Sequence, residues 1–214
     1  LNRDSFGNPW LYNWHCLDHL GYEVNPRHRD IGFHNVFDVY NELIEEYGFA
    51  DGLGFHFHPE HVYPHAHLCA TNFGNSKYLY EILTRRLVDR NWFPNCFRAG
   101  FHSERPDSNL FLEQWVPLDI SNQSIDTEEE ASLQIDLRGH RFGDWTRAQQ
   151  DWGWYNPDHD DYQRPGNWRR KIFRCLNIGT RIRCITSNEV TKAFQQARET
   201  NQTLFQHTKI SKRT

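Results

Sequence analysis

The sequence predicts an α/β fold, a largely parallel sheet or barrel covered by helices, on two observations. Apolar runs of strand length alternate with segments of helical apolar spacing from residue 10 to residue 122. The residue types that do chemistry also stand at the ends of the strand-like runs, where parallel α/β folds gather their sites. One domain over residues 1–214 is expected, with a Trp-, Asp- and Arg-rich insertion at about 122–170.

In chain order, "WLYNWHCLDHL" (10–20) is an aromatic-rich apolar run that suits a buried strand ending at Asp18 and His19. "HNVFDVYNELIEEYG" (34–48) repeats apolar residues at Val36, Phe37, Tyr40, Leu43, Ile44 and Tyr47, which is helical spacing, and Gly48 stops it. "GFHFHP" is a short strand. Ser76 suits the cap of a second helix, whose apolar face is Leu79, Ile82, Leu83 and Leu87. "NCFRAGF" (95–101) is the next strand, a third helix lies around "DSNLFLEQW", and "VPLDIS" is a strand carrying Asp119. Beyond an acidic loop, "LQIDLRG", "KIFRCLNIG", "RIRCIT" and "TLFQHT" are strands and "NEVTKAFQQAR" is a helix. Residues 141–170 hold Trp145, Trp152, Trp154 and Trp168 among many Asp and Arg, too polar a stretch to be core.

The bulk numbers exclude several classes. A net charge of −4 offers no field for wrapping nucleic acid, so no nucleic-acid partner is expected. No run approaches the length of a membrane helix and no signal segment is visible, so a soluble, cytoplasmic chain without a membrane span is expected. The 5 cysteines are odd in number and widely spaced, which suits buried thiols better than a disulfide framework. The sequence holds no methionine, even at position 1, so the expectation is either a fragment of a longer chain or a sequence that has lost modified methionines.

His56, His58, Glu60 and His61 form the densest chemical cluster. Residues two apart on a strand share a face, so His56 and His58 can converge on one divalent metal, with His61 or His65 joining after Pro59. Zinc suits imidazole with carboxylate. Ordinary hydrogen-bonding histidines are the alternative. Arg98 lies in an apolar strand, where its charge needs a carboxylate or anion, and Asp18 is a natural candidate. It is either a structural ion pair or part of a site with His102. His207, at the tip of the last strand, could serve as a general acid. The four tryptophans could form a wall that stacks on sugar faces, or anchors that pin a loop to the core.

"GLGFHFHPEH", "FRAGFHS", "WVPLDIS" and "LFQH", in that order, resemble the polysaccharide deacetylase superfamily, the NodB-homology or carbohydrate esterase family 4 fold. The resemblance spans roughly residues 10–122 and 200–208. It implies a distorted (β/α) barrel, a divalent metal and hydrolysis of acetyl groups on a carbohydrate. By motif, His56, His58 and His61 occupy the metal-histidine strand. Arg98 and His102 occupy the arginine motif, whose arginine orients the catalytic aspartate, and His207 takes the late acid position. The family's metal histidines are usually four apart, as His61 and His65 are, so the assignment within the cluster stays open. The family's aspartate pair should precede residue 10, where only Asp4 stands. Two other functions compete: a metallo-β-lactamase-type hydrolase, whose HxHxDH signature is nearly matched, and a deacetylase-like domain that only binds a glycan or protein.

Overall fold

The computed structural model of the chain describes residues 3, 7–9, 11–19, 34–58, 77–104, 106–122, 145–179, 187–202 and 205–209. The expected alternation is present. In order come β1 (Asn13–His19), α1 (Asn35–Tyr47), β2 (Gly52–Phe57), α2 (Lys77–Arg90) and β3 (Cys96–Ala99). A single 3-10 turn (Gly100–His102) follows, then α3 (Pro106–Trp115), β4 (Leu118–Asn122), β5 (Trp154–Tyr155), β6 (Lys171–Gly179), α4 (Ser187–Glu199) and β7 (Phe205–Lys209). Strands expected at 133–139 and 181–186, and the Ser76 cap, lie outside the described residues.

The strands form one mostly parallel sheet in the order β1, β2, β3, β4, β6, β5, with β7 added to β6. Among the described strands only the short β5 runs antiparallel. β5 pairs the lower half of β6, at Ile172 and Phe173, and β7 pairs the upper half from Cys175 to Gly179. The first four strands lie side by side in chain order. With the usual right-handed crossovers, such an order sends every connecting helix to the same face. The core agrees: Phe55, Phe57, Phe97 and Ala99 pack with Leu79, Ile82 and Leu83 of α2 and Phe111 and Leu112 of α3. Cys16 and Leu53 pack with Phe37 of α1 beside them. Side chains alternate across a strand, so the helices claim every second residue of β2 and β3 and leave His56 and Arg98 for the other face.

Two helix faces differ from expectation. In α2 the inward row is Leu79, Ile82, Leu83 and Arg86, while Leu87 is 50% exposed. Counting i, i+3, i+4, i+7 from Leu79 arrives at Arg86, and its guanidinium lies 3.8 Å from the Phe37 ring centre with Nε donating to His34 Nδ1 at 3.0 Å. In α1 Val36, Phe37, Tyr40 and Ile44 of the predicted stripe pack inward, while Leu43 and Tyr47 are exposed. Gly48 ends α1 in the left-handed conformation at φ 60°, as a glycine stop should. Cys16, Cys96 and Cys175 are buried free thiols. No helix among the described residues is long and apolar enough to cross a membrane.

The two rows make opposite demands on stability. Phe97→Ala should cost about 3–5 kcal/mol, and Leu87→Ala less than about 0.5 kcal/mol. Urea denaturation of both variants checks this, and comparable losses would return Leu87 to the packed row.

Candidate functional site

The face of the sheet opposite the helices is polar where β2 and β3 end. β2 contributes His56 and is followed at once by His58; β3 contributes Arg98 and leads through the 3-10 turn to His102. β1 adds His15, which stands opposite Gly54 in the parallel register. Two glycines make room for rings. A Cβ at Gly54 would fall on the His15 ring, and one at Gly100 would fall on the His58 ring. His56 and His58 are 9% exposed, Arg98 is 8% exposed and His102 is fully buried.

The hydrogen bonds settle which ring nitrogens carry protons. His56 Nδ1 lies 2.7 Å from the Arg98 carbonyl oxygen, which can only accept, so Nδ1–H is the donor. His56 Nε2 is then a lone pair, and it accepts from Arg98 Nη1 at 3.1 Å. His58 Nε2 stands 3.2 Å from the same atom. His102 repeats the scheme: Nδ1–H donates to the Ser121 carbonyl at 3.0 Å and Nε2 accepts from Arg98 Nη2. A buried cation is therefore held between two neutral imidazoles. Its Nε has no hydrogen-bond partner among the described groups, and the side chain of Asp18, the carboxylate partner the sequence suggests, lies outside what the structure describes.

The charge states follow. Burial, then the Arg98 charge and His58, hold His56 well below the usual imidazole range. Burial and then Arg98 lower His15 to about 4. Burial lowers Arg98 itself to about 10, which leaves it protonated at neutral pH. A neutral ring such as His56, with its Nε2 lone pair aimed inward and Nδ1–H on a carbonyl, is how metal-ligating imidazoles are usually held.

His102 carries strain as well. Its φ is 52°, in the left-handed region that a side chain with a Cβ rarely adopts. Three bonds hold it there: both ring nitrogens are engaged, and its carbonyl accepts from Trp145 Nε1 at 2.6 Å.

The four tryptophans divide into two pairs. Trp145 is buried with Ala148, Tyr155 and Ile172. Trp152 is buried against Ala193 and Ala197 of α4, donates to Gln196 Oε1 at 3.2 Å and lies under the Arg174 guanidinium at 4.0 Å. Trp154 is 47% exposed on the edge strand with Lys171 Nζ 4.0 Å above its ring. Trp168 is partly exposed and meets the edge of His159 at 5.1 Å. The polar stretch thus feeds two of its rings into the core and keeps two near the surface.

A second buried group escaped the sequence. Arg170, fully buried just before β6, donates through Nη1 to Asp119 Oδ2 at 2.7 Å and to Glu104 Oε2 at 3.3 Å, and through Nη2 to Asn109 Oδ1. Burial, then the Asp119 charge, push the Glu104 carboxyl well above the usual carboxylate range. The sequence offers one hint, Glu104 standing two residues after His102, and nothing in it ties either residue to position 170.

The structure thus brings His56, His58, Arg98 and His102 together, with Trp145 adjoining. For Asp18 and His207 it describes the backbone. Asp18 lies in β1 one residue past Leu17, the partner of His56, and His207 lies in β7 opposite Asn177. His61 is outside the described residues. Among the described residues no three His, Cys, Asp or Glu side chains group into a metal site. Comparison of the chain with protein-family models, with curated proteins and with solved structures finds no match.

The lowered His15 pKa makes a pH prediction. Unfolded His15 binds its proton near the ordinary 6.5 and folded His15 only near 4, so between those values the unfolded chain holds more protons. Stability should fall as pH drops from about 6.5 toward 4, and His15→Leu should flatten that slope in urea titrations across the window. Parallel slopes for the two proteins would contradict it.

Proposed function

We propose that the chain is a metal-dependent hydrolase that removes acetyl or similar acyl groups from a carbohydrate or glycan precursor, on a distorted (β/α) barrel of the polysaccharide deacetylase type. One observation carries this: the His56 and His58 Nε2 atoms stand 3.2 Å apart, buried, where β2 ends beside Arg98. The side-by-side order of the first four strands is in keeping with the barrel.

The donors suit a borderline divalent ion. Two nitrogens on one tetrahedral zinc are separated by about 3.3 Å, close to the distance seen. His56 and His58 would hold the ion, with His61 as the proposed further ligand. His56 Nε2 now accepts from Arg98, so ion binding would release Arg98 Nη1 for another acceptor. The ion would supply Lewis acidity toward the acyl oxygen and toward an attacking water.

The chain's own groups do the rest. Asp18, at the carboxyl end of β1, would take the water's proton, and Arg98, once released from His56, would orient it. His102 holds Arg98 from the other side and keeps a single ring orientation. His207, at the tip of β7, would return a proton to the leaving nitrogen or oxygen. Trp154 offers an exposed ring and Trp168 a partly exposed one for sugar faces, while Trp145 and Trp152 act from within the fold as supports.

The test is elemental analysis of purified protein and of His58→Ala, with acetylated sugars as substrates. Near-stoichiometric zinc that falls in the variant, and release of acetate, are expected. Two ions per chain would favour the metallo-β-lactamase type instead, and no ion even with added zinc would overturn the proposal. Arg98→Ala should lower turnover roughly 100-fold by misplacing the base, with a smaller effect on melting temperature. A large melting loss with unaltered turnover would make Arg98 a structural residue only.

A further inference from the structure

The buried Arg170 group and the imidazole cluster are joined at one residue. Ser121, near the carboxyl end of β4, accepts on its carbonyl from His102 Nδ1 at 3.0 Å, and its backbone N–H donates to Asp119 Oδ1 at 2.8 Å. The other Asp119 oxygen takes Arg170 Nη1 at 2.7 Å. Ser121 Oγ accepts the Ala99 N–H at 2.8 Å, which ties the same residue to β3. An unbroken path therefore runs from Arg170 through Asp119 and Ser121 to the His102 ring, and on to Arg98.

A buried ion pair is a poor way to gain stability, because desolvating both charges offsets their attraction and an apolar pair of equal volume serves as well. The Arg170 and Asp119 side chains are both fully buried. What the pair does provide is direction. Asp119, clamped by a guanidinium on one oxygen, keeps the other on the Ser121 N–H, which holds the following carbonyl toward His102. The left-handed φ of His102 raises the need for such a clamp, since the strained backbone would otherwise relax and turn the ring.

We propose that Arg170 and Asp119 are positioning residues, which hold His102 in its Nδ1–H form with Nε2 facing Arg98. As a statement about turnover this rests on the hydrolase reading above; as a statement about the ring it does not.

The experiment is nitrogen NMR of histidine-labelled protein, with the His102 signals assigned through His102→Gln. In the native chain His102 should show one tautomer, protonated at Nδ1, around neutral pH. A native His102 that populates both tautomers overturns the proposal without any variant. The variant Asp119→Leu/Arg170→Met keeps the volume and removes both charges, so it is expected to fold. Its His102 should become a mixture of tautomers, and kcat should fall roughly 10- to 100-fold with KM little changed. Ser121→Ala, which leaves the backbone N–H and carbonyl in place, should keep the native signature. A folded double variant with His102 still wholly in the Nδ1–H form would overturn the proposal. If no acylated sugar is turned over but the tautomer responds as stated, the hydrolase reading fails and the positioning role stands.

Discussion

The Arg98 guanidinium, a permanent cation inside a parallel sheet, sets the terms for everything around it. The protein nearly encloses it, so its donors look to the protein for acceptors, and among the described residues Nη1 and Nη2 find the Nε2 atoms of His56 and His102. An imidazole can accept there only if it is neutral and protonated at Nδ1. That in turn requires a carbonyl for each Nδ1, which Arg98 and Ser121 provide from their own backbones. Ring packing follows from the same constraint. Gly54 and Gly100 leave room for the His15 and His58 rings, and His102 turns into a left-handed backbone to bring its ring beneath the guanidinium.

The second buried group belongs to the same design. Asp119, Glu104 and Arg170 would be a costly set of charges if all were ionised without partners. Glu104 is held toward its neutral form, so the group reduces to one cation against one carboxylate with a carboxyl and an amide beside them. Three parallel strands meet in this arrangement: Ala99 of β3 bonds Ser121 of β4, and Arg170 enters from the start of β6.

The segment after residue 145 shows how a polar sequence can still furnish core. Its acidic and basic side chains satisfy one another near the surface: Asp161 takes both Arg147 nitrogens, Asp158 takes Arg164, and Tyr155 OH donates to the Tyr162 carbonyl. With those groups paired locally, Trp145 and Tyr155 are free to pack inward against Ile172. The Trp145 indole then reaches the carbonyl of the strained His102, so the loop and the polar face support each other.

Much of this was legible in the sequence because it depends on local periodicity. The alternation of period two and period 3.6 marks β1 to β4 and α1 to α3, Gly48 marks the end of α1, and strand ends rich in histidine and arginine mark the polar face of the sheet. Local pattern also set His56 and His58, with His61, at one strand end and Arg98 with His102 at the next. Where it failed, the missing information was a partner distant in sequence. Leu87 looked inward until Phe37 and His34 offered Arg86 a stacked and bonded place. That two imidazoles hold Arg98 became visible only once the register set His56 across from it. Arg170 had no visible role, since its partners Glu104, Asn109 and Asp119 lie 66, 61 and 51 residues away. Composition and spacing thus determined the kind of fold and the end of the sheet where buried polar groups gather. Only the tertiary structure decided which buried charges are neutralised and by what, because that depends on distances and solvent exclusion created when distant segments meet.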